Sequence, residues 1–190
     1  MKLNFCALVT GSLFSLTAVA TTTDLNMTAT IINTSCQISF SNGGQINLGT
    51  VTLNDLERNT DVNQLYSGGA PFSITVNNCV QSSGKTPSHL TVDFLPVSGA
   101  LSPANQQVFI NQQSSGAQNV GVVILSTQDA QNIFNVLDAQ GHSQSIYPVS
   151  AGELSNATYR FHARMQKVDP AQAAGSGVVK TSVFVSAYYD

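Results

Sequence analysis

Gly177-Val178-Val179-Lys180-Thr181-Ser182-Val183-Phe184-Val185-Ser186-Ala187-Tyr188-Tyr189-Asp190 closes the chain. Within it Val179, Thr181, Val183, Val185, Ala187 and Tyr189 fall on every second position. Side chains two apart share one face of a β-strand, so this stretch reads as a strand with one apolar face. The strand runs to the last residue, with no polar tail behind it. Such an edge attracts other strands unless something covers it.

The same period recurs upstream. Phe72, Ile74 and Val76 alternate with Ser73, Thr75 and Asn77. Leu90, Val92 and Phe94 repeat the pattern, as do Tyr159, Phe161, Ala163 and Met165. Clusters rich in glycine and serine separate the runs: Ser41 to Gly44, Ser67 to Gly69, Ser82 to Gly84, Ser114 to Gly116 and Ala174 to Gly177. Leu53 to Leu65 is the one helical candidate, and Gln128 to Leu137 has room for a helical turn at most. Many short strands with regular turns predict an all-β sandwich or barrel. No repeat or linker divides the chain.

Composition narrows the function. The chain has 190 residues, of which 9% are charged, with 7 Lys plus Arg against 10 Asp plus Glu. An average soluble domain is roughly a quarter charged. Seven cations do not make a nucleic-acid stripe. A hydrophobic fraction of 42% speaks against disorder.

Residues 1–20 read as a secretory signal peptide. Lys2 is followed by an uncharged stretch from Cys6 to Val19, and Ala18-Val19-Ala20 offers small residues for cleavage after Ala20. The apolar run is too short and too diluted by Thr and Ser for a membrane span. Cleavage removes Cys6 and leaves Cys36 and Cys79. In an oxidising compartment one disulfide is the default reading of that pair. Two cysteines so far apart do not make a metal pair, and His89, His142 and His162 are scattered.

No chemistry of catalysis stands out. The chain has no nucleophile elbow and no phosphate-cradling glycine loop. Asp129 and Asp138 are near in sequence, but nothing marks a cleft around them. His162, on the polar side of its strand, reads as a solvated side chain. Enzyme activity and cofactors are not expected.

The N-terminal segment carries more signal. Leu25, Met27, Ala29 and Ile31 alternate with Asn26, Thr28, Thr30 and Ile32, ahead of the first mature cysteine. An alternating segment outside the disulfide loop can pair with any open sheet edge, its own or a neighbour's.

Several motifs now line up in order. Ile31-Ile32-Asn33-Thr34-Ser35-Cys36 leads into the first cysteine, and Ile46-Asn47-Leu48-Gly49-Thr50-Val51 follows it. Pro71-Phe72 opens a strand that reaches Cys79. Asn119 to Leu125 and Phe161-His162-Ala163-Arg164-Met165 come next. Gly177 stands fourteenth from the C-terminus and Tyr189 is penultimate. Together these resemble the subunits of chaperone–usher fimbriae, those of type 1 fimbriae being nearest. The resemblance covers almost all of the mature chain.

The resemblance implies an incomplete immunoglobulin-like β-sandwich that lacks its last strand. It divides the chain into a signal peptide (1–20), a donor extension (21–31) and a pilin domain (32–190). It implies a groove strand at Gly177, Val179, Thr181, Val183, Val185, Ala187, Tyr189 and Asp190, bound first by a periplasmic chaperone. At the outer-membrane usher, the extension of the next subunit would take the chaperone's place. Thr23, Leu25, Met27 and Ala29 are the donor residues this implies. The product would be a head-to-tail fibre on the cell surface, reaching a host through a separate tip adhesin. Only fifteen residues separate Ala20 from Cys36, and they include no glycine. That is short for a donor arm of this family, so either cleavage falls elsewhere or the subunit is a minor one. The alternatives are a tip adaptor or small adhesin with its own carbohydrate site, and, less favoured, a secreted β-sandwich enzyme or inhibitor.

Overall fold

The computed structural model describes residues 23–29, 36–58, 68–79, 87–98, 101, 107–128, 136–137, 143–149 and 156–189. The expected leader at 1–20 and the terminal Asp190 lie outside them. The described residues form two sheets face to face. The first contains β1 (Thr23–Ala29), β3 (Gln45–Gly49), β5 (His89–Pro96), β8 (Val136–Leu137), β9 (Ser143–Pro148) and β11 (Lys180–Tyr189). Its order is β3-β1-β11-β5-β9-β8. The second contains β2 (Gln37–Phe40), β4 (Ala70–Asn77), β6 (Val108–Ile110), β7 (Val120–Ser126) and β10 (Ala157–Lys167), in the order β2-β4-β10-β7-β6. This is the all-β sandwich predicted from the alternating runs, in the immunoglobulin-like form that the resemblance implied.

Alternation places the core. Phe72, Ile74 and Val76 of β4 and Tyr159, Phe161, Ala163 and Met165 of β10 are buried against Leu90, Val92 and Phe94 of β5. Phe161 is the hub. Its ring lies 5.4 Å from Phe72, 5.3 Å from Phe94 and 6.3 Å from Tyr147, tying both sheets together. Such aromatic pairs add about 0.5–1.5 kcal/mol each beyond the area they bury. The Tyr147 and Ser126 hydroxyls meet at 2.7 Å inside the sandwich, so neither is left buried and unpaired.

The helix expected over Leu53–Leu65 is present as α1 (Leu53–Arg58), and 59–67 lie outside the described residues. Thr52 caps it: its Oγ1 accepts from the Asp55 amide at 3.1 Å and donates to the Asp55 carboxylate at 2.7 Å. Leu56 turns inward. Of Gln128–Leu137, where a helical turn had room at most, residues 129–135 lie outside the described residues. Val136 and Leu137 pair as a strand with Gln144 and Ser143 of β9, because a free sheet edge there outweighs a weak local preference. His162 also departs from expectation: it is half-buried, and its Nε2 donates to the Gly68 carbonyl at 2.6 Å.

Lys167 is buried at the end of β10 and donates to Glu57 of α1 at 2.7 Å. That bond holds the Glu57 carboxyl below its ordinary range. The native state therefore binds a proton there less readily than the unfolded chain. The contribution is complete above the ordinary glutamate range and drains away as pH falls through the lowered native value. Glu57→Gln is expected to lower the melting temperature at pH 7, with the difference from the parent shrinking toward pH 3. Equal differences at both pH values in a thermal melt would count against this linkage.

Candidate functional site: a one-strand gap filled by the N-terminal segment

β11 has two edges, and they are used differently. On one side Lys180 and Ser182 are committed. The Lys180 amide donates to Asn111 Oδ1 at 2.9 Å, and its carbonyl accepts from the Gln112 amide at 2.7 Å. The Ser182 amide donates to Gln112 Oε1 at 2.9 Å, and its carbonyl accepts from the Val97 amide at 3.0 Å. Beyond them β11 pairs with β5 in antiparallel register, Val185 opposite Phe94 and Ala187 opposite Val92. The other edge faces β3, but the two strands do not pair; β1 lies between them.

The site is thus a gap one strand wide, walled by β3 and β11. At the usual strand spacing its walls stand about 10 Å apart. Its floor is apolar. Ile46 and Leu48 of β3 and Thr181, Val183, Val185 and Ala187 of β11 are all buried, as is Val179 just before β11. Tyr189 is partly buried at the far end, and burial raises its phenol above the ordinary value. These are the positions that the alternation assigned to one face.

β1 occupies the gap. It runs parallel to β11, with Leu25 opposite Thr181, Met27 opposite Val183 and Ala29 opposite Val185. It runs antiparallel to β3, with Leu25 opposite Ile46. Leu25 is fully buried and Met27 is 7% exposed. Thr23 lies at the open end of the strand, opposite Gly49. The Met27 amide donates to the Gly44 carbonyl at 2.6 Å. The structure thus places the strand that holds Thr23, Leu25, Met27 and Ala29 between β3 and β11 of the chain's own sandwich.

Gly177 has a different part from the strand residues that follow it. Its φ is +148°, and a Cβ there would stand 2.6 Å from the Ala117 amide nitrogen. A Cβ on Gly116 would stand 2.2 Å from the Val178 carbonyl oxygen. The two glycines let the 114–117 turn cross the chain just before β11 at backbone contact. Asn111 locks that crossing. Its Nδ2 donates to the Ala117 and Val178 carbonyls at 3.0 and 2.9 Å, while its Oδ1 accepts from the Lys180 and Gln113 amides. Asn111 and Gln112 escaped the sequence reading, because Asn-Gln-Gln in a polar chain has no periodicity to mark it.

The expected disulfide is present between Cys36 and Cys79, 43 residues apart. Cys36 is buried beside the gap, and its amide donates to the Ala187 carbonyl at 2.9 Å. The chain passes there from the first sheet into β2 of the second.

A family model described as fimbrial protein matches residues 25–190. The chain is 41% identical over 168 residues to the fimbrial-like protein YadK of Escherichia coli (strain K12), covering 88% of this chain and 85% of that protein. The match opens at Leu25, inside the inserted strand, and runs through β11 to the last residue. A two-sheet sandwich, a one-strand gap beside its last strand and this similarity together assign the chain: it belongs to the fimbrial protein family.

Proposed function

We propose that this chain is a structural subunit of a chaperone–usher fimbria and polymerises by donor-strand exchange. In this reading residues 1–20 direct export, 21–31 form the donor arm and 32–190 form the pilin domain. A periplasmic chaperone holds the groove, and an outer-membrane usher exchanges it for the next subunit's arm. The fibre then stands on the cell surface, and contact with a host falls to a separate tip adhesin. The family implies assembly with other subunits; the particular partners belong to this proposal.

One observation carries the reading. The gap between β3 and β11 is filled by a short segment that lies outside the disulfide loop and belongs to neither sheet's hairpins. Such a strand can be supplied by another molecule without changing any other pairing. Main-chain bonds on both edges provide affinity, and Leu25 and Met27 provide side chains for the floor. Full burial of each is worth about 1.5–3 kcal/mol. A head-to-tail contact of this type does not close on itself, so it builds a filament.

The test is a chain without residues 21–30, produced with its chaperone and offered a synthetic peptide of residues 21–31. A one-to-one complex that replaces the chaperone is the expected result. Failure of the peptide to bind, or fibres that still grow through the shortened subunit, would overturn the reading.

A further inference from the structure

β11 rests on two different supports. From Val183 onward its far edge pairs with β5, and that ladder stops at Pro96, whose ring nitrogen carries no hydrogen. Upstream of that pair, residues 110–112 take over most of the support. Resting on the exchange reading, we propose that Asn111 and Gln112 are specificity-determining residues for strand insertion. Through β11 they set how strictly the groove demands a leucine at position 25 of the inserted strand.

Their side chains imitate a neighbouring strand. Gln112 accepts from the Ser182 amide through Oε1 at 2.9 Å and donates to the Ser182 carbonyl through Nε2 at 3.2 Å. The same Nε2 donates to the Ser98 carbonyl at 3.1 Å, which ties the clamp to the chain just beyond β5. Asn111 acts likewise upstream, accepting from the Lys180 amide and donating to the Val178 carbonyl, each at 2.9 Å. Between the two clamped residues stands Thr181, fully buried and opposite Leu25. Its hydroxyl donates to the Ile110 carbonyl at 2.9 Å. A buried hydroxyl is costly unless it is bonded. Here the bond comes from within the subunit, so the seat asks no polar group of the donor.

One segment therefore fixes both the backbone and the hydroxyl of the seat for Leu25. Met27 and Ala29 sit opposite Val183 and Val185, where β5 pairs with β11 instead. The cost of a smaller side chain depends on how far its site can collapse around it. A wall held at both flanks of Thr181 does not collapse; a wall released there does. Loosening the clamp should thus relax the choice at position 25 and leave positions 27 and 29 as they were.

The test is a double-mutant cycle in the full mature chain, where β1 lies in the gap. Gln112→Met keeps the length of the side chain and removes its bonds to Ser182, whose carbonyl still accepts from Val97. In the parent, Leu25→Ala should raise the unfolding equilibrium constant about thirtyfold or more, read by urea denaturation. In the Gln112→Met background that penalty should be about fivefold smaller, while the penalty of Met27→Ala stays within about twofold. An equal penalty for Leu25→Ala in both backgrounds, or an equal relief at Met27, would overturn the proposal. Hydrogen exchange on the parent needs no variant to fold. The Lys180 and Ser182 amides should exchange as slowly as those of Phe184 and Ser186, which share their side of the strand by alternation. Exchange about a hundredfold faster at 180 and 182 would show that the clamp does not hold, and would also overturn it. The chaperone-held chain offered the 21–31 peptide, with and without Leu25→Ala, keeps the two readings apart. If neither peptide binds, the exchange reading fails, and the cycle within the mature chain still decides the clamp.

Discussion

Leu25→Asp should abolish strand insertion. Leu25 is fully buried between Thr181 of β11 and Ile46 of β3. No cation is opposite it at that register. A carboxylate placed there would lose its hydration without gaining a partner, at a cost of several kcal/mol, or would have to be protonated. Leu25→Ala removes the methyl groups alone and should cost about 2–5 kcal/mol, by analogy with other buried leucines. The aspartate variant is expected to leave both walls of the gap unpaired. Hydrogen exchange should then rise in β3 and on the gap edge of β11, while β4, β7 and β10 stay protected. Fibre incorporation should fall below detection. An aspartate variant that enters fibres at the parent level would show that residues 23–29 are not the donor.

Cys36→Ser should be as severe by a different route. The bridge closes a loop of 43 residues, and the chain-entropy model values such a loop at about 4 kcal/mol. Small domains hold only about 5–15 kcal/mol in total. The loss falls where the groove strand is supported, because the Cys36 amide holds the Ala187 carbonyl. The expected outcome is loss of export or of assembly, read as subunit in the periplasm and in sheared fibres. Parent levels in both fractions would make the bridge dispensable.

Much of this fold was legible because sandwich cores obey period two. Phe72, Val92, Phe161 and Val183 declare their inward faces by alternation alone, and each is buried. Short strands without that pattern were harder. β9, Ser-Gln-Ser-Ile-Tyr-Pro, puts its inward residues Ser145 and Tyr147 on the same side, so polarity does not mark the face. β6 has three residues, too few for any period. The polar side of β10 misled in another way. Arg164 and Gln166 alternate with the core yet are fully buried, and the Arg164 guanidinium donates to Gln166 Oε1 at 2.9 Å.

The groove was legible from both ends of the chain, because its floor and its occupant are each an alternating run. The direction in which they meet was not. Leu25, Met27 and Ala29 show the same alternation read forward or backward. Parallel insertion follows from where Cys36 is anchored, a tertiary fact. Gly177 shows the same limit. Its place in a terminal motif was visible, but its physical reason is Gly116, sixty-one residues upstream.

Cys36 also sets the path of mechanical load. Under donor-strand exchange, tension along a fibre enters each subunit through its arm and leaves through the groove strand that grips the next one. The arm leads towards Cys36, which the disulfide joins to Cys79, two residues beyond β4, and which one backbone bond joins to β11. Force therefore crosses the subunit through adjoining strands at one edge of the sandwich. The segment between the two cysteines, with β2, β3, α1 and β4, is bypassed along the chain by a covalent bond, and β3 takes load as the second wall that grips the incoming arm. A stretched fibre would lose its strand contacts in shear before that loop could unravel.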